Sequence, residues 1–125
     1  MKRISRMAAL TAFAALLAAP AHGADPWSAR DVALQATYTA LHVMDWGQTR
    51  YIATHPERHF ERNPLLGRHP HKDKVDLYFA GTLVAHTVVT HLLPKEWRPW
   101  WQCVTIAGEA SVVGWNIAGG VKVRF

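Results

Sequence analysis

Four ionisable side chains stand among apolar neighbours in this 125-residue chain: His42, Asp45, His86 and Glu109. Carboxylates and imidazoles relay protons when burial and mutual contact set their proton affinities. The same groups bind a metal when three or four converge. One His on each of two facing helices, which His42 and His86 would supply, suits haem, although no haem attachment motif accompanies them. A plainer reading is a buried hydrogen-bonded seam that fixes helix register, with Asp paired to His or Gln and Glu paired to Asn. That seam takes in His42, Asp45, Gln48, Thr49, His86, Glu109 and Asn116. No metal site and no cofactor are predicted, no residue is assigned as catalytic, and hydrolysis is the remaining enzymatic option.

A second group of residues follows the first. Asp45-Trp46-Gly47-Gln48-Thr49 is succeeded by Glu61-Arg62-Asn63-Pro64-Leu65-Leu66-Gly67 and then His69-Pro70. Asn63-Pro64 forces a non-helical turn, and Gly67 with Pro70 keeps the stretch irregular. Glu61 and Asn63 could cap helix ends or reach back to Gln48 and Thr49. Long irregular loops often carry function, and capping is the bland alternative for Glu61, Asn63, Pro64 and Gly67. His55 and His59 are four apart, but Pro56 lies between them and the glutamate of a zinc-protease helix is missing. A phosphate-binding glycine loop, a nucleophile elbow and a Cys-His pair of recognised spacing are all lacking. The lone Cys103 excludes an intramolecular disulfide and a cysteine-rich metal knuckle.

The elements that must position these residues are helices. The first is expected over 27–53, opening at Asp25-Pro26 or Ser28. The second is expected over 75–93, stopped by Pro94, and the third over 99–119, ended by Gly119-Gly120. A basic loop, 54–74, joins the first two. Alternation of the strand type is confined to the tail Val121-Phe125. One such strand cannot make an outer-membrane barrel.

In the first helix Asp31, Gln35, Tyr38, His42, Asp45 and Thr49 recur at steps of three and four, a single narrow stripe. Most of what lies between is Val, Ala, Leu, Met or Thr, a far wider apolar arc than a soluble surface helix needs. Gln102, Glu109 and Asn116 repeat the design in the third helix, as do Thr82, His86 and Thr90 in the second. Helices apolar nearly all round, each with one polar seam, fit a lipid environment in which the seams face one another. The stretch 75–93 would be about 28 Å long, near the ~30 Å hydrocarbon core. Ala110, Gly114 and Ala118 form a small-residue ridge suited to close helix approach in lipid, and so an expected packing interface.

Charge gives an orientation. The long loop carries Arg50, Arg58, Arg62, Arg68, Lys72 and Lys74, while the turn between the later helices carries Lys95 and Arg98. The positive-inside rule places loop 54–74 in the cytoplasm and the outer turn, with Trp97, Trp100 and Trp101, at the opposite interface. At the N-terminus, Lys2, Arg3 and Arg6 precede an apolar run from Met7 to Ala19 and a small-residue exit near Gly23 or Ala24. That is the pattern of a bacterial signal peptide over 1–24. A retained anchor, forming a fourth helix, is the alternative. The chain has 14 Lys and Arg against 9 Asp and Glu, and setting aside the three in the leader leaves 11 against 9. A nearly balanced mature chain implies no nucleic-acid partner.

The Asp45-Trp-Gly-Gln-Thr and Glu61-x-Asn-Pro-Leu-Leu-Gly-x-His-Pro stretches, with Glu109 in a Gly/Ala/Val helix, resemble a family of small uncharacterised integral membrane proteins of bacteria and their phages. The resemblance spans roughly 27–120 and implies a membrane location but no reaction. The expected fold is therefore all-α: a small three-helix transmembrane bundle, residues 25–125, after the signal peptide. The expected role is structural or accessory, in the bacterial inner membrane, with lipid around it and the mature N-terminus periplasmic. It would act as a homo-oligomer or as a membrane-complex subunit. The alternatives are a transport, proton-coupled or metal/haem site on Asp45, His86 and Glu109, and a soluble periplasmic helical binding module. Against a membrane stands Glu109, since a carboxylate at bilayer centre costs ~2.5–3.5 kcal/mol.

Overall fold

The computed structural model describes residues 24–125. The leader or anchor expected over 1–24 lies outside them, apart from Ala24. The described residues are all-helical, with α1 over Ala29–Thr54, α2 over Lys72–Leu92 and α3 over Arg98–Ala118.

Each helix begins and ends for a local reason. Ser28 caps α1: its hydroxyl accepts from the Asp31 N–H at 3.1 Å, and the Asp31 carboxylate accepts from the Ser28 N–H at 3.0 Å. This reciprocal pair satisfies two donors that a helix start leaves open. The helix stops at Thr54, ahead of Pro56. α2 follows Pro70 and closes one residue before Leu93, whose backbone is extended as a residue preceding proline must be. Pro99 sits in the first turn of α3, where its missing N–H costs nothing. At the other end Gly120 takes φ +76°. Its N–H reaches Ile117 O at 3.0 Å, and the Val121 N–H reaches Asn116 O at 2.9 Å. This is a Schellman closure, which needs a residue tolerant of the left-handed conformation.

α1 is the central helix. Both α2 and α3 pack along it and touch each other much less, so a cleft runs between them away from the turn that joins them. At the loop end a small apolar core forms from Leu66, Val75 and Phe79, with Trp46, Ala53 and Tyr78 around it. The tail after α3 is not the strand its alternation suggested. It folds back irregularly onto α1, where the Arg124 N–H reaches Gly47 O at 3.1 Å. Gly47 makes room for it: a Cβ there would stand 2.6 Å from Val123 and 2.9 Å from Phe125.

Among the described residues no helix is long and apolar enough to cross a membrane. This corrects the expectation of helices that are apolar nearly all round. At 1.5 Å per residue α1, of 26 residues, and α2 and α3, of 21 each, have the length for a ~30 Å core. What falls short is apolarity, because each helix carries a full row of polar side chains along one face.

Candidate functional site

Those rows meet inside the bundle. The largest side chains that are wholly buried include Arg98, Gln48, Gln102, Thr49, Thr90 and Asp31. Buried polar groups need partners; each of these residues has at least one, in a row that runs from the α2–α3 turn toward the tail, although Asp31 Oδ1 and Gln102 Oε1 are left without one.

Arg98 anchors the turn end. Its Nε donates to Thr90 O and Leu93 O, both at 3.0 Å, and its terminal nitrogens donate to Asp25 O at 2.8 Å, His91 O at 3.1 Å and Pro26 O at 3.2 Å. A cation set among the last carbonyls of α2 also meets the negative end of that helix. The Asp31 carboxylate balances it at 3.5 Å. One turn on, Gln102 Nε2 donates to Asp31 O at 2.8 Å, tying α3 to α1.

Two histidines follow, and their surroundings assign them different states. His86 Nε2 lies 2.9 Å from the Thr105 hydroxyl, which spends its own proton on the carbonyls of Trp101 and Gln102. Nε2 is therefore the donor, and Nδ1 accepts from Gln35 Nε2 at 3.3 Å, which describes a neutral ring. His42 Nδ1 faces the Glu109 carboxylate at 2.7 Å and Nε2 faces Phe79 O at 3.1 Å. Both nitrogens meet acceptors, so the ring donates at both and Glu109 matches its charge. The Tyr38 ring separates the two imidazoles, with its centroid 3.5 Å from that of His86 and 5.3 Å from that of His42.

Toward the loop, Asp45 receives the Thr49 hydroxyl at 3.5 Å. Gln48 Nε2 donates to Val113 O at 3.3 Å, and Asn116 Nδ2 donates to Gln48 Oε1 at 3.1 Å. Asp45 and Glu109 both line a cavity of about 790 Å³ bounded by α1, the cleft between α2 and α3, and residues 58–63 of the loop.

The structure thus brings His42, Asp45, Gln48, Thr49, Glu109 and Asn116 onto one side of the seam. It leaves His86 apart, joined to Gln35 and Thr105 and not to either carboxylate. A haem between His42 and His86 does not fit, because Tyr38 fills the gap and every ring nitrogen is already bonded. Among the described residues no three or more His, Cys, Asp or Glu groups are placed to hold a metal.

The loop residues mostly build the loop. The Glu61 carboxylate accepts from the N–H groups of Arg62 and Asn63 at 2.9 and 2.8 Å, and Asn63 Oδ1 accepts from the Leu65 N–H at 3.0 Å. Pro64 sits inside that turn, and Gly67 takes φ +82° to leave it. Of Glu61, Asn63, Pro64 and Gly67, the first two also line the cavity. The ridge Ala110, Gly114, Ala118 faces outward, and nothing among the described residues packs on Gly114: a Cβ there would meet no atom within 4 Å.

Reading from sequence missed Arg98 and Thr105. Arg98 counts in a sequence as one more turn charge, and only the fold shows five carbonyls converging on it. Thr105 does lie three residues after Gln102 and four before Glu109, the helical spacing that would have placed it on the same face. No family model, no curated protein and no solved structure matches this chain.

Proposed function

We propose that this chain is a small integral protein of the bacterial inner membrane, a three-helix bundle with a polar interior that serves a structural or accessory role in a membrane complex. One observation carries the reading: buried polar side chains run along the interior of the bundle while many large apolar ones face outward. Arg98, Gln102 and Gln48 are fully buried, while Leu77 is 76% exposed, Trp100 70%, Trp115 64% and Val84 64%. In water that arrangement forgoes the hydrophobic effect, which at ~25 cal/mol per Å² is the main source of fold stability. In lipid it is the favourable one, since apolar side chains meet acyl chains and polar ones satisfy each other. Hydropathy averaged over a whole helix charges it for residues that lipid never touches.

The two ends of the bundle support an orientation. Trp27, Trp97, Trp100 and Trp101 lie at the α2–α3 turn end, where aromatic rings favour an interface. The basic loop and Lys122 and Arg124 lie at the other. On the positive-inside rule the loop end is cytoplasmic and residue 25 periplasmic. The resemblance noted in the sequence implies a membrane location.

Fractionation tests it. The expected result is a chain that stays with membranes through osmotic shock and alkaline carbonate and is released by detergent. Release by osmotic shock alone would establish the soluble periplasmic module instead.

A further inference from the structure

The 790 Å³ cavity lies within the range that holds small organic ligands. We propose that it is a binding site for an organic cation, with the positive group seated between Asp45 and Glu109 and the apolar body against Phe79, Tyr78 and Trp115. This goes beyond the membrane placement and does not rest on it.

The charge count at the cavity floor comes first. Asp45, Glu61 and Glu109 bring three carboxylates to the cavity; Arg58 and Arg62 line it on the loop side, and His42 is the cation against Glu109, whose Oε1 its Nδ1 occupies. Glu109 Oε2 is buried with no hydrogen-bond partner. Among the described residues neither Asp45 nor Glu109 forms an ion pair with a lysine or arginine. Arg50 is committed to Asp76. Arg62 lies over the Trp115 ring, 4.9 Å from its centroid, at the cavity mouth. A carboxylate without a partner in a low-dielectric site takes up a proton or is matched by a positive charge beside it.

The walls then select the kind of cation. A hard metal ion wants six or more oxygen ligands at short range, and no such cluster is assembled among the described residues. A proton alone would need no cavity. Aromatic faces beside carboxylates are the combination that recognises ammonium and related organic cations, through the negative face of the ring. Carboxylates on the floor repel anions of the same shape.

The test uses a pair of probes of one shape and opposite charge. Full-length protein in detergent micelles is dialysed against tetraphenylphosphonium or tetraphenylborate, with protein-free micelles subtracted. Saturable binding of the phosphonium, at least tenfold tighter than of the borate, is expected. Combining D45N with E109Q should weaken it tenfold or more, with helicity and thermal unfolding followed in parallel. Should that variant not fold, G108F serves: Gly108 lines the cavity, a Cβ there meets nothing within 4 Å, and a phenyl ring would take up part of the cavity while Asp45 and Glu109 are both retained. Equal binding of both probes, no saturable phosphonium binding, or phosphonium binding unchanged in whichever variant folds would overturn the proposal.

Discussion

Arg98 shows how much one side chain can hold. It joins the residues before α1, the last turn of α2 and the first of α3, and it is matched by Asp31 alone. Replacing it by Met would leave Asp31 buried without a charge partner and five carbonyls without a donor. Breaking a buried pair from one side costs ~3–5 kcal/mol, so R98M should unfold at clearly lower temperature or denaturant than the parent. Adding D31N should recover part of the loss, because the orphaned charge is then gone. A double variant no better than R98M would mean that the carbonyl contacts, not the ion pair, dominate. Gly47 makes a prediction of the opposite kind. Alanine there collides with Val123 and Phe125, so G47A should release the tail and expose it to carboxypeptidase. In a chain ending at Val121 the same change should stabilise α1 by about 1 kcal/mol, the ordinary helix preference for Ala over Gly. Neither role was legible beforehand. Helical spacing assigns a residue to a face, but a contact between residues 47 and 123, or 31 and 98, depends on the way the chain returns.

At the scale of the helix, more could be read. The stripe Asp31, Gln35, Tyr38, His42, Asp45, Thr49 follows from a period of 3.6 alone, and the structure turns that face inward with Asp31, Tyr38, His42 and Thr49 buried. The ends of the helices were equally visible, because Ser28, Pro94 and Gly119-Gly120 act through local geometry. What the pattern could not supply was the pairing across helices: that Glu109 meets His42 while His86 meets Thr105 is set by the offset between α1, α2 and α3. The ridge Ala110, Gly114, Ala118 has the right spacing for an interface but faces away from both other helices. The cap on α1 gives a direct check of local control. S28A removes the hydroxyl that accepts from the Asp31 N–H and should cost about 1 kcal/mol in reversible unfolding. A loss well above that would mean that the Ser28 cap also holds Asp31 in place for Arg98.

For the whole molecule the distribution of polarity decides between two solvents, and a single substitution separates them. Val84 is near the middle of α2, is 64% exposed, and points away from the seam. In a protein surrounded by water, V84K would fall among surface changes that alter stability by no more than ~0.5 kcal/mol. In a bilayer the same lysine would lie deep in the hydrocarbon, at ~2.5–3.5 kcal/mol on insertion scales. Its amount in the membrane fraction should then fall several-fold or more relative to V84L, which keeps the surface apolar. The three helices afford no shelter for that lysine, since the seam is already filled by paired side chains and the cleft opens elsewhere, beside Glu109. Equal amounts of V84K and V84L in the membrane fraction would place Val84 in water and remove the main support for the lipid-facing surface. It would leave the cation site untouched, because that site depends on Asp45 and Glu109 and on nothing that the outer face of α2 contributes.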